Sequence, residues 1–309
     1  MTTPAPTVRR SDSVDSQRTL LGDEGFLRSL EQLALLVRRV ARPGLSGEHR
    51  GLTRSNSVEF ADYRPYAPGD DFRRIDWNLY GRMDALFVRL SEAREDVDVH
   101  LLLDASRSME YGQPNKLGYA KRLVAALGYI ALSRLDRVSL SALTYDVVER
   151  AGPLRGKDRI HRLLSFLDAM NAAGTTDLNA ALRRYAQLGQ PHGVAILVSD
   201  LLSPSGFRAG IERLRADRVE VIVLQVLAPQ ELQPTPTGDV ELIDRETGEI
   251  VEVTLSEAVV REYQRRLAAW TAEIAQVCAE LGVSFSQVST ATPLETLVVT
   301  ELRKRRILL

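Results

Sequence analysis

The sequence has a single cysteine, Cys278, and only four histidines. One cysteine excludes an internal disulfide and any metal cage built from several thiolates, so we expect Cys278 to pack in the core. The histidines are His49, His100, His161 and His192, and none of them forms a pair at a spacing typical of metal ligands. We therefore interpret them as structural or surface residues.

Long apolar runs and an excess of one charge are also missing. No run approaches the roughly 20 apolar residues that a membrane span needs. Residues 1–20 are rich in Ser, Thr, Pro and Arg, which predicts a flexible tail and not a secretory signal. Forty basic and forty-one acidic side chains give a formal net charge of −1. We expect a cytoplasmic protein without a membrane span, and the balanced charge favours a locally recognised protein partner over a nucleic acid.

The composition, with 44% hydrophobic residues, supports a sizeable core. From residue 95 onward, strand-like and helix-like segments alternate. VDVHLLLD (97–104), GVAILVSD (193–200) and VEVIVLQVL (219–227) read as buried strands with helical patterns between them. This alternation predicts an α/β fold, with a Rossmann-like, doubly wound, mainly parallel sheet covered by helices on both faces.

Three regions are predicted along the chain. The tail ends at residue 20, an N-terminal segment with a helix and short strands covers 21–94, and the α/β domain covers 95–309. Within the α/β domain, two alternating stretches joined by RETGE predict an exposed β-hairpin insert at about residues 228–256. A long helix between a Ser256 cap and Gly282 should then pack an apolar stripe on the sheet. The predicted stripe consists of Val259, Tyr263, Leu267, Trp270, Ile274, Val277 and Leu281.

Oxygen-bearing side chains gather where the predicted strands end. Asp104, Ser106 and Ser108 alternate directly after the first buried strand, Thr175 and Thr176 lie in a loop before a helix, and Asp200 ends another strand. Ligands of open parallel sheets bind outside the carboxyl ends of the strands. Hydroxyl and carboxylate oxygens suit Mg²⁺ or Mn²⁺. Asp and Ser are also common turn and cap formers, so the DASRS stretch alone is weak support for a metal.

The order DxSxS, GxT-type loop and strand-terminal Asp resembles the metal-ion-dependent adhesion site of von Willebrand factor A (vWA) domains. This resemblance implies a vWA-like domain that binds Mg²⁺ (or Mn²⁺). It assigns the ligands as Asp104, Ser106, Ser108, Thr176 and Asp200. Thr175 remains an alternative to Thr176.

Residues 59–96, EFADYRPYAPGDDFRRIDWNLYGRMDALFVRLSEARED, together with LIDRETGE (242–249), resemble the bacterial-type family known as domain of unknown function 58. Members pair this segment with such an A domain and are commonly encoded beside MoxR-type AAA+ ATPases. The resemblance implies a protein partner, either a MoxR-type ATPase or a client protein. No P-loop pattern GxxxxGK[ST] occurs in the chain itself.

The leading hypothesis is a noncatalytic adaptor, not an enzyme, that binds partner carboxylates through a Mg²⁺-dependent site in chaperone-like assembly. Ser106 has no nucleophile elbow around it, which argues against hydrolase chemistry. One alternative is a metal-dependent phosphohydrolase that uses the same aspartates. Another is RNA binding through the Arg-rich N-terminal segment. The same segment contains a charged and aromatic group that is either a docking surface for a partner or a solvated face whose charges pair with one another. Its residues are Arg73, Arg74, Asp76 and Trp77.

Overall fold

The computed structural model describes residues 19–40, 63–89, 97–188, 192–235 and 238–305. Most of the predicted tail, residues 1–18, lies outside them. By compactness the chain divides into two units, residues 1–43 with 97–309 and residues 44–96. The N-terminal helix therefore belongs to the larger unit, whereas the sequence analysis groups it with residues 21–94.

The strands are β1 (Tyr63–Pro65), β2 (Phe87–Arg89), β3 (Asp98–Asp104), β4 (Arg137–Leu143), β5 (Val147–Leu154), β6 (Val194–Ser199), β7 (Glu220–Leu227), β8 (Gly238–Ile243), β9 (Ile250–Leu255) and β10 (Ser284–Ser289). The α-helices are α1 (Glu24–Val40), α2 (Trp77–Met83), α3 (Lys116–Ser133), α4 (Ile160–Ala169), α5 (Leu178–Gln187), α6 (Arg208–Ala216), α7 (Pro229–Leu232), α8 (Glu257–Glu280) and α9 (Leu294–Arg305).

The larger unit is built on a six-stranded sheet in the order β10-β7-β6-β3-β4-β5. Neighbouring strands are parallel except for β5, which runs antiparallel to β4. Strand β3 is central, and its carboxyl end therefore lies beside the ends of β4 and β6. The predicted mainly parallel α/β fold is confirmed.

Helices cover both faces of this sheet. Leu101 and Leu103 of β3 join one core cluster with α1, α3, α4 and α9, while Leu102 joins a second cluster with α5, α6 and α8. Successive side chains of a strand point to opposite faces, so a strand buried on both faces needs apolar residues throughout. This requirement explains the uninterrupted run of leucines before Asp104.

One strand was not anticipated from the sequence, and one prediction about a helix is only partly correct. The edge strand β5 was not predicted, because its sequence VVERAGPL mixes charged residues with Gly152 and Pro153, and such a pattern fits only an edge strand. The predicted stripe of α8 is also only partly correct. Val259 and Tyr263 are exposed, and the helix buries Val260, Ile274 and Cys278.

The predicted hairpin insert is present as the separate two-stranded sheet β8–β9. Its turn is shaped by Asp244, whose Oδ1 accepts hydrogen bonds from the backbone N–H groups of Glu246 (2.7 Å) and Thr247 (2.8 Å). An aspartate that binds two following amides pins a tight turn. The hairpin tip therefore has a defined local shape.

In the smaller unit, β1 and β2 pair antiparallel, and Ile75 adds one bridge to Val88. Helix α2 follows at once. Its N-cap is Asp76, whose side chain accepts hydrogen bonds from the N–H groups of Asn78 and Leu79. The IDW motif, Ile75–Asp76–Trp77, thus lies between the bridge to β2 and the start of α2.

Candidate functional site

Asp104 ends β3 and is completely buried. Its Oδ1 accepts a hydrogen bond of 2.9 Å from the N–H of Ser106, and its Oδ2 accepts one of 2.6 Å from the hydroxyl of Ser199. Among the described residues it has no ion-pair partner. A buried carboxylate that is bonded only to neutral donors leaves negative charge uncompensated at the end of the strand.

The hydroxyls of Ser106 and Ser108 lie 3.0 Å apart. An octahedral Mg²⁺ with metal–oxygen distances of 2.0–2.1 Å places adjacent ligands about 2.9 Å from each other. The spacing of the two serine oxygens therefore fits two adjacent positions of such an ion. Ser106 is buried and Ser108 is half-buried, so the pair lies at the border between core and solvent.

Asp200 follows β6 and is also completely buried. Its Oδ2 accepts a hydrogen bond of 2.8 Å from Lys116 Nζ, and its Oδ1 accepts one of 3.0 Å from the N–H of Leu202. Lys116 contacts Glu231 as well, at 2.6 Å. The buried ammonium group of Lys116 is thus shared between Asp200 and Glu231, and Glu231 lies in α7, the helix that precedes the hairpin.

The loop with the candidate threonines lies against the DASRS loop. Gly174 accepts a backbone hydrogen bond from Arg107 (3.3 Å), and the N–H of Ala173 donates to Ala105 (2.8 Å). The structure buries Thr176 and exposes Thr175. Of the two, Thr176 is the one whose side chain is withdrawn from solvent.

Thr176 is bound by a residue of the hairpin tip, Glu246. The Thr176 hydroxyl donates to Glu246 Oε1 (2.7 Å), and its N–H donates to Oε2 (3.0 Å). Glu246 is half-buried, while the other residues of the turn, 244–249, are exposed. A third carboxylate therefore reaches the site from a part of the chain that the sequence analysis treats only as a hairpin.

Electrostatics at the site reflect burial and mutual repulsion of carboxylates. Burial, and secondarily the charge of Asp200, raise the pKa of Asp104 to about 6. Burial lowers the pKa of Lys116, but attraction to Asp200 and Glu231 outweighs this effect and leaves the pKa above its ordinary value. Lys116 thus stays protonated, and its single positive charge does not offset the surrounding carboxylates.

The donor set fits a hard divalent cation. Carboxylate and hydroxyl oxygens from three loops, with no sulfur or imidazole, are the ligands that Mg²⁺ and Mn²⁺ take. The buried hydroxyl of Thr144, at the adjacent end of β4, has no hydrogen-bond partner in the described structure. In the ranges that the structure describes, no three His, Cys, Asp or Glu side chains form a metal cluster by themselves. Any ion would therefore depend on the hydroxyls.

The candidate docking residues lie in the smaller unit. Asp76 caps α2, and Arg73 donates its N–H to Asp71 at 2.9 Å. Trp77 is 62% exposed and makes an edge-on contact with Tyr80 at 6.2 Å between ring centroids. Arg74 lies in the short 3₁₀ turn before the bridge residue, and its side chain is outside the described part.

Sequence reasoning missed Lys116, Glu231 and Glu246. Lys116 contacts Asp200 and Glu231, which lie 84 and 115 residues away, and Glu246 contacts Thr176, 70 residues away. No local pattern reveals contacts between positions so far apart. A lysine at the start of an apolar helix, directly after Asn115, was one available signal. The LIDRETGE stretch was another.

These features define a doubly wound α/β domain with an oxygen-rich cluster at the carboxyl edge of its sheet, and a smaller unit with the IDW motif. The chain belongs to the family described as protein of unknown function DUF58, whose sequence profile matches residues 62–273. The protein Rv1480 of Mycobacterium tuberculosis is 26% identical over 275 residues, which cover 87% of this chain and 86% of that protein.

Solved structures show weaker likeness. BatB from Bacteroides thetaiotaomicron matches with a TM-score of 0.43 at 17% identity, covering 68% of this chain and 99% of that chain. Proximal thread matrix protein 1 from the mussel byssus, with a zinc-occupied MIDAS motif, matches with a TM-score of 0.37 at 17% identity over 42% of this chain and 38% of that one.

Within the described ranges, no helix has both the length and the apolar character that crossing a membrane requires. The cytoplasmic location stays a prediction.

Proposed function

We propose that this protein is a noncatalytic interaction module that binds a carboxylate of a protein partner through a divalent ion. The observation that carries the proposal is the pair of serine hydroxyls 3.0 Å apart beside the buried carboxylate of Asp104. An oxygen-only site with few charged ligands suits Mg²⁺ or Mn²⁺. The ion would be held by Asp104, Ser106, Ser108, Thr176 and Asp200.

The proposed ligands are of two kinds, neutral hydroxyls and charged carboxylates. The hydroxyls of Ser106, Ser108 and Thr176 are neutral, and the aspartates act directly or through water. Both oxygens of Asp200 already accept hydrogen bonds from the protein, which restrains its orientation. When bound, the ion supplies a positive centre that attracts an incoming carboxylate. A site whose direct ligands are mostly neutral keeps more of that attraction.

The partner we propose is a MoxR-type AAA+ ATPase, a client protein, or both. The resemblance to the domain-of-unknown-function 58 family supports this choice, as does the lack of a P-loop pattern in the sequence. An adaptor that presents a client to an ATPase needs binding surfaces and no catalytic residues. Two separate surfaces suit that role, the oxygen-rich edge of the larger unit and the exposed Trp77 of the smaller one.

Calorimetric titration with Mg²⁺ and Mn²⁺ tests the site. We expect the unaltered protein to bind one ion and Asp104→Asn to lose it. Asn keeps the shape and still accepts the hydrogen bond from Ser106, so the fold should persist; Ala would leave two buried donors unpaired. Asp158→Asn, at an exposed aspartate, is the matched control. Equal ion affinity in Asp104→Asn and the control would refute the assignment.

The partner is tested by titration with a purified MoxR-type ATPase, with and without EDTA. We expect chelation and the double change Ser106→Ala, Ser108→Ala to weaken binding to a similar extent, on the order of tenfold or more. Binding that persists in EDTA but is lost when Arg73 and Arg74 are replaced would contradict the metal bridge. It would identify the smaller unit as the docking surface.

A further inference from the structure

The tip of the β8–β9 hairpin contacts the candidate site through one side chain. Both oxygens of the Glu246 carboxylate accept hydrogen bonds from Thr176, at 2.7 Å from the hydroxyl and 3.0 Å from the backbone N–H. A two-point contact fixes the direction as well as the distance of the carboxylate. The hairpin thus presents to the site the chemical group that a partner would bring.

From this contact we infer that Glu246 is an internal carboxylate ligand that occupies the partner's position, and that the hairpin must move aside before a partner carboxylate can bind. The inference rests on the function proposed above for the same site. It adds regulation to that function, because the chain itself then competes with its partner.

The distances agree with a ligand position. Adjacent oxygens around Mg²⁺ lie about 2.9 Å apart, and Glu246 Oε1 lies 2.7 Å from the Thr176 hydroxyl oxygen. A hydroxyl has one donor and two acceptor lone pairs, so Thr176 can donate to Glu246 and still offer its oxygen to an ion. The same side-chain pair therefore serves the site with or without the ion.

The turn prepares Glu246 for this contact. Asp244 Oδ1 accepts hydrogen bonds from the N–H groups of Glu246 and Thr247, and Gly248 adopts the left-handed conformation that closes the turn (φ 76°). Of residues 244–249 only Glu246 is withdrawn from solvent. A preformed turn lowers the entropy that is lost when the carboxylate docks.

Apart from the Glu246 contact, the half of the hairpin nearer the tip is weakly restrained. Strands β8 and β9 pair only with each other, and an isolated two-stranded hairpin is marginally stable. Leu242 and Val251, opposite each other near the tip, are 50% and 49% exposed, so little apolar contact restrains this half of the hairpin. Val240 and Val253, the next apolar pair toward the base, are half-buried. The Glu246 contact is then a main restraint on the tip.

Tethering sets how strongly the hairpin competes. A carboxylate on a short tether has an effective concentration in the millimolar range, so a free carboxylate with only millimolar affinity cannot displace it efficiently. A partner must add contacts elsewhere or bind cooperatively. The hairpin therefore excludes small carboxylates of the cell and selects for protein partners.

Two full-length variants separate the role of Glu246 from its charge. Glu246→Gln removes the anionic ligand, and Glu249→Gln removes an equal charge from an exposed position of the same turn. Hydrogen–deuterium exchange without added metal should show faster exchange of the amides of residues 239–254 in Glu246→Gln and unchanged exchange in Glu249→Gln. Equal exchange in the two variants would overturn the inference.

Water-proton relaxation with bound Mn²⁺ then tests whether Glu246 occupies a coordination position of the ion. With Mn²⁺ bound, loss of Glu246 should let one more water reach the ion, so the water-proton relaxation enhancement should be higher in Glu246→Gln than in Glu249→Gln. Added glutarate should lower it in Glu246→Gln at concentrations that leave Glu249→Gln unchanged. Identical enhancement and identical glutarate response in both variants would overturn the internal ligand. If the unaltered protein binds no Mn²⁺, the proposed function fails, while the metal-free exchange comparison still decides the Glu246 contact.

Discussion

Lys116 Nζ donates a hydrogen bond of 2.8 Å to Asp200 Oδ2, and both side chains are buried, at 1% and 0% exposure. The same ammonium lies 2.6 Å from Glu231 Oε1. The Oε2 atom of Glu231 in turn accepts a hydrogen bond from the N–H of Ala228 and thereby caps α7. One lysine therefore connects the candidate metal ligand Asp200 to the segment that leads into the hairpin.

Replacing Lys116 with Met should destabilise the protein strongly. Met approximates the length of the side chain but leaves the carboxylates of Asp200 and Glu231 without their shared cation. Removing one partner of a buried pair costs about 3–5 kcal/mol, because the remaining charge stays buried. Urea unfolding monitored by circular dichroism measures the change in the free energy of unfolding.

The matched control is Arg261→Met. Arg261 pairs with Glu257 at 3.3 Å, and both side chains are largely exposed. Exposed pairs of this kind contribute about 0.3–0.5 kcal/mol. A loss in Lys116→Met no larger than in Arg261→Met would contradict the buried pairing.

The strands and the ligand candidates on them were predictable because their causes are local. Leu101, Leu102 and Leu103 are apolar since both faces of β3 are covered. Asp104 follows where β3 ends, and its side chain is still buried although it belongs to neither apolar cluster. Glu246 was not predictable in this way. Its contact with Thr176 spans 70 residues and depends on where the hairpin docks, which periodicity and spacing do not encode.

Two helical glycines differ in the space beside them, so alanine should have opposite effects on stability at Gly210 of α6 and at Gly118 of α3. A Cβ at Gly210 would lie 2.7 Å from Leu182 Cβ and 3.1 Å from the Leu178 carbonyl oxygen, so Gly210→Ala must push α5 and α6 apart. We expect a loss of about 1–3 kcal/mol. Gly118 is an exposed position of α3, where a Cβ would meet only ordinary contacts.

Gly118→Ala should therefore raise the free energy of unfolding by up to about 1 kcal/mol through helix propensity. Thermal and urea unfolding of Gly210→Ala and Gly118→Ala measure the two changes in the free energy of unfolding. Similar effects of the same sign would show that packing at Gly210 is looser than the structure indicates.

The single thiol should report unfolding. Burial raises the pKa of Cys278 to about 11, and the side chain is completely buried in the core beneath α8. At pH 8 the folded thiol should react with Ellman's reagent more than about 100-fold more slowly than the unfolded one, because only the accessible thiolate reacts. Reaction in native buffer at the rate measured in urea would contradict the burial of Cys278.

The smaller unit offers a test that separates stability from partner binding at two adjacent residues. Asp76 caps α2, so Asp76→Ala should lower the stability of that unit by about 1 kcal/mol. Trp77 is 62% exposed, and Trp77→Ala should cost no more than about 1 kcal/mol, since it loses little besides the edge-on contact with Tyr80.

If this surface docks the ATPase, Trp77→Ala should weaken binding at least about tenfold in the presence of EDTA, where a metal bridge is absent. Leu35→Ala, at an exposed apolar position of α1 in the larger unit, is the control. Unchanged binding in Trp77→Ala would show that the exposed tryptophan is not part of the docking surface.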